Sequence, residues 1–132
     1  MRLSVRRCVV VLAIGLAGAL TVSGPSFARG GGGESERGSC SGGPGEWRLS
    51  VDRRDSGRLR VRFRIDDVPA RQSWHVFLSD NGERVFSGTR RADEHGDLRV
   101  TKLTANRAGS DRVAASAVNS ATGVTCSGSL TF

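Results

Sequence analysis

The stretch Arg58-Leu59-Arg60-Val61-Arg62-Phe63-Arg64-Ile65 alternates cation and hydrocarbon without a slip. Successive side chains of a β-strand point to opposite faces, so this period of two predicts a half-buried strand. Leu59, Val61, Phe63 and Ile65 are expected in a core, and the four arginines in water. At ~3.3 Å per residue those arginines form a row about 20 Å long. The same alternation continues on either side. Trp47, Leu49 and Val51 alternate with Arg48, Ser50 and Asp52, and Asp55-Ser56-Gly57 supplies the turn between the two strands. After Asp66-Asp67-Val68-Pro69 breaks the pattern, Gln72–Ser79 puts Trp74, Val76 and Leu78 on one face and His75 and Phe77 on the other. Asp80-Asn81-Gly82-Glu83 follows, and Asn-Gly suits the positive φ angles of a type I′ hairpin. Further strands are expected over Arg84–Arg90, Asp97–Leu103, Asp111–Asn119 and Val124–Phe132, with a polar loop over Arg91–Gly96. Ala114, Ala115 and Ala117 favour a helix, but Val113, Val118 and the flanking turns make that segment a strand. Seven short strands without a helix predict an all-β fold, an antiparallel immunoglobulin-like sandwich over residues 46–132.

The 28 residues at the start read differently. Arg2, Arg6 and Arg7 precede the apolar run Val9–Val22, and Ser26-Phe27-Ala28 places small residues before a cut. That is the layout of a secretory signal peptide over residues 1–28, cleaved between Ala28 and Arg29. The run is shorter than the ~20 residues of a spanning helix, so no membrane span is expected. Cleavage removes Cys8 and leaves Cys40 and Cys126 in an oxidising space, where they are expected to form one disulfide with Cα atoms about 5.5–6 Å apart. Closing so long a loop is worth about 4–5 kcal/mol in the chain-entropy model. Between leader and domain, Arg29–Gly45 contains the run Gly30–Gly33 with Gly38, Gly42, Gly43 and Gly45, and reads as a flexible lead-in, with order starting near Glu46.

Without Arg2, Arg6 and Arg7 the formal net charge of +7 falls to +4, a modest balance that suits a secreted monomer. Beyond the leader, Lys102 is the single lysine, a bias of GC-rich coding that weakens any reading of each arginine as selected for phosphate.

Cys-Ser-Gly-Gly before the Trp47 strand, the arginine-rich strand, Gln72-Ser73-Trp74, Asn81-Gly82, and Asn119-Ser120-Ala121-Thr122-Gly123 before Cys126 resemble small secreted proteins of actinobacteria. The similarity covers residues 40–132 and implies an immunoglobulin-like domain outside the cell. Antibiotic-carrier apoproteins and subtilisin inhibitors of those bacteria are also β-rich and of similar size, but carry two disulfides where this chain can make one.

The candidates for chemistry are few. Arg58, Arg60, Arg62 and Arg64 form a ladder suited to a polyanion, such as an anionic cell-wall polymer, against the simpler reading of a solvated face paired with acids across strands. Exposed aromatics for stacking on nucleic acid are limited to Phe77 and Phe86. Asp93-Glu94-His95-Gly96-Asp97 offers oxygen ligands for a cation, but its spacing matches neither an EF-hand nor a zinc pattern. His75 and His95 are the only histidines, with no ordered Ser/His/Asp motif. The expectation is a non-catalytic domain without cofactor or metal, which binds an extracellular protein or cell-wall polymer or serves as structure. The alternative is an inhibitor of a secreted enzyme, presenting Arg90-Arg91 from an exposed loop.

Overall fold

The computed structural model describes residues 32–132, so the signal-peptide reading over residues 1–28 lies outside the described residues. Eight strands follow one another: β1 Glu34–Ser39, β2 Glu46–Arg54, β3 Arg58–Asp66, β4 Ser73–Asp80, β5 Glu83–Arg91, β6 Leu98–Ala105, β7 Arg112–Val118 and β8 Thr125–Thr131. They build two antiparallel sheets, ordered β1-β2-β3-β6 and β5-β4-β7-β8. With β2 lettered A, the sheets read A-B-E and C′-C-F-G, the immunoglobulin-like arrangement, and β1 is added at an edge. All seven expected strands are present. Asn81 and Gly82 have φ of 50° and 81°, the two positive angles a type I′ turn requires.

The alternation of β3 sets the inner face. Leu59, Val61, Phe63 and Ile65, with Leu49 and Val51 from β2, pack on Trp74, Val76, Leu78, Val113, Ala115 and Ala117 of the other sheet. A cross-sheet core of this size stabilises the domain mainly through removal of apolar surface from water.

Order starts earlier than Glu46. Inside the expected flexible lead-in, β1 pairs with β2 from Glu34↔Val51 to Ser39↔Glu46. Its Glu, Ser, Arg and Gly residues carry no apolar alternation. Backbone hydrogen bonding, which any sequence offers, recruits it.

The disulfide joins Cys40 to Cys126 across the adjacent edges of the two sheets, with Cα atoms 4.3 Å apart rather than the expected 5.5–6 Å. The reason is local pairing. Ser41 and Thr125 exchange both backbone hydrogen bonds, at 2.7 and 3.0 Å. Cys40 and Cys126 therefore occupy the next, non-hydrogen-bonded pair, where Cα atoms approach to about 4.5 Å. Trp47 fills the same edge. A Cβ on Gly128 would lie 2.0 Å from the Trp47 ring, and one on Gly38 would lie 2.8 Å from it. Only glycine lets β1 and β8 close over the indole. At the opposite edge Phe86 lies between cations, with the Arg90 guanidinium 4.6 Å and the Lys102 ammonium 5.0 Å from its ring centre.

Candidate functional site

The arginines of β3 do point outward. Arg60 and Arg62 converge on Asp52 of β2: Arg60 Nε donates to Oδ1 at 3.2 Å, Arg60 Nη2 lies 3.0 Å from Oδ2, and Arg62 Nη2 lies 3.5 Å from Oδ1. Arg64 Nε donates to Asp66 at 2.5 Å. That bond and the charge of Asp66 raise the Arg64 pKa above its ordinary value. Three of the four arginines read from the sequence are thus partly neutralised by neighbouring acids. Arg58, at the end of the ladder, is exposed.

Strand register creates a second row that the linear sequence hides. Arg37 lies opposite Arg48, Arg48 opposite Arg64, and Arg64 opposite Arg99, so one arginine from each of β1, β2, β3 and β6 falls in line across the sheet. At about 4.8 Å between strands the row is about 14 Å long. Arg37, Arg48 and Arg99 are exposed and make no ion pair among the described residues. Like charges directly opposite each other are unfavourable in a sheet. On one side of the row lies a concavity of ≈ 450 Å³ lined by Arg48, Arg62, Arg64 and Arg99, with the carboxylates Glu34 and Asp52 also on its wall. On the other side lies one of ≈ 260 Å³ lined by Arg37, Glu46 and Asp66, again with Arg48 and Arg64. Arg48 and Arg64 therefore form a cationic ridge between two hollows. Guanidinium forks presented this way suit phosphate or carboxylate oxygens, which they bind bidentately.

Comparison with known protein families, curated proteins and solved structures finds no match. The reading of the site rests on its own geometry.

The remaining candidates go to structural duties. Asp93 Oδ1 accepts the backbone N–H groups of Asp97 and His95, both at 2.9 Å. The Asp97 amide is the main cause that holds the Asp93 carboxyl below its ordinary pKa. The loop is closed by its own carboxylate, and no group of three ligating side chains converges among the described residues. His75 is on the outer face of the second sheet, 3.4 Å from the Ser87 hydroxyl. Arg90 and Arg91 lie within β5, not in a loop. Arg91 Nε donates to the Arg71 carbonyl at 2.7 Å, and Arg90 is spread over Phe86. The two arginines of the inhibitor alternative thus close the edge strand β5, ahead of the loop over residues 92–97.

Proposed function

We propose that this is a secreted, non-catalytic immunoglobulin-like domain that binds an extended anionic polymer outside the cell through the outer face of β1-β2-β3-β6. The observation that carries the reading is the in-register row Arg37-Arg48-Arg64-Arg99 beside its ≈ 450 Å³ hollow. An even +4 on the exported chain gives weak attraction to any anion, whereas a row with three unpaired guanidiniums focuses it. A leader over residues 1–28 supplies export, and the Cys40–Cys126 bridge suits the oxidising space beyond the membrane. No helix among the described residues is long and apolar enough to cross a membrane.

The test uses a poly(glycerol phosphate) chain as probe, with duplex DNA as a second phosphodiester, between 50 and 200 mM salt. Binding should weaken with salt at a logarithmic slope of about 0.7–0.9 per arginine engaged. Arg48→Ser with Arg99→Ser should flatten the slope by about 1.4 to 1.8. No binding of either polymer at 50 mM salt, or a slope unmoved by the double substitution, would overturn the reading.

A further inference from the structure

The anion face has a wall that does not belong to the sandwich. Gly33, Glu34 and Ser35 of the β1 segment line the larger hollow, and Arg37 of β1 heads the transverse row. Yet none of the buried hydrophobic side chains comes from β1, whose residues are exposed apart from the half-buried Gly38. Strands β2–β8 and the loop residues Val68, Ala92 and Val124 supply the buried apolar core without it. A strand that buries no apolar side chain of its own sits at the low end of local stability, because its backbone ladder is not backed by a share of the core. Its link to β2, from Cys40 to Gly45, is closed by the bond from Cys40 N–H to the Gly45 carbonyl, and Gly43 and Gly45 pack on Val124 and Val68 rather than on anything in β1. Two anchors remain. One is the fit of Gly38 against the Trp47 ring. The other is the crossing to the second sheet, where Ser41 pairs with Thr125 and Cys40 is bonded to Cys126.

Building on the polyanion reading, we propose that the Cys40–Cys126 bridge acts as a positioning device for the anion site: by pinning β1 to β8 it holds Arg37 and the outer wall in place. The bridge thereby sets affinity as well as stability. Arg37 is a ligand-contacting residue that functions only while β1 is docked, and the site is built from a rigid sheet and one fastened strand.

Hydrogen exchange and polymer binding test this together on the full mature chain at low temperature, where the unbridged protein has most reserve. In Cys40→Ser with Cys126→Ser, the β1 amides that bond β2 should exchange freely while those of β3, β4 and β7 stay protected. Affinity for poly(glycerol phosphate) should fall about five- to tenfold, matching Arg37→Ser alone. Arg37→Ser added to the unbridged protein should cost less than a further twofold, since a strand already released has no contact left to lose. Gly38→Val keeps the bridge but drives β1 against Trp47, and the same loss is expected, which covers the case where the unbridged variant fails to fold. Protected β1 amides in the unbridged protein, or an Arg37→Ser effect of equal size with and without the bridge, would overturn the inference alone. A native protein that binds neither polymer would overturn the anion reading and this inference with it.

Discussion

The two outer faces of the sandwich obey one alternation and cover one core, yet they differ in chemistry. On β1-β2-β3-β6 the outward positions include Arg37, Arg48, Arg58, Arg60, Arg62, Arg64 and Arg99. On β5-β4-β7-β8 the corresponding rows read Thr89-His75-Val118-Thr125 and Ser87-Phe77-Ser116-Ser127, with arginine toward the ends at Arg84, Arg91 and Arg112 and with Arg90 at the edge of β5. Inner positions are dictated by packing, whereas outer ones are free to vary. A coding bias toward arginine would scatter it over both faces. Its concentration on one face argues that arginine serves a purpose there beyond solvation. The second sheet turns its carboxylates Asp80 and Asp111 inward and buries them, while the first sheet keeps Asp52 and Asp66 outside among the arginines.

Removing what the faces share should have the largest effect. Phe63→Ala empties the centre of the core under both and should cost about 3–5 kcal/mol in chemical denaturation, enough to unfold so small a domain. A change below about 1 kcal/mol would mean that the inner face has been misassigned.

A smaller change sharpens the contrast between the faces. Asp52→Asn frees Arg60 and Arg62 from their shared carboxylate. Polyanion affinity should rise about two- to threefold in a salt titration, and stability should fall by no more than about 1 kcal/mol. Weaker binding would show that Asp52 positions those arginines rather than restraining them.

The smallest effect concerns the inward charges of the second sheet. Burial raises the Asp80 pKa above its ordinary value, the nearby charge of Asp111 adds to this, and the Thr104 hydroxyl and Arg107 pull the other way. A raised folded-state pKa contributes stability below the unfolded-chain value of about 4, and that contribution is lost as pH rises through the folded value. Asp80→Asn should therefore melt close to the native protein at pH 4 and above it near pH 7. The opposite trend in thermal melts would assign Asp80 a stabilising charge.

Most of the sandwich was legible because a half-buried strand writes its inner face into every second residue. Phe63 and Trp74 are each 1 % exposed, as the alternation requires. The strand β1 was illegible for the complementary reason. Its place comes from hydrogen bonds that leave no mark on side-chain choice, so its glycines and serines look like a linker. The site was half legible. The ladder along β3 lies within one strand and can be read directly. The row Arg37-Arg48-Arg64-Arg99 joins four strands through register, which a linear sequence does not display. Arg48 and Arg99 stand at outward positions of their strands, and that was the one signal pointing to them. Pairing of the ladder with acids across strands was expected from the facing strands, but the capture of both Arg60 and Arg62 by Asp52 needed coordinates.

The opposed guanidiniums also give the empty domain an unusual relation to dissolved ions. Arg37, Arg48 and Arg99, on strands about 4.8 Å apart, have no acid partner among the described residues, and mobile anions gathering over the row screen their mutual repulsion. Added salt should therefore firm the protein through the same residues by which, on the proposed function, it would release a polyanion. On the proposed function, a bound polyanion would supply fixed counter-ions to the same row and should stabilise the sheet in the same way.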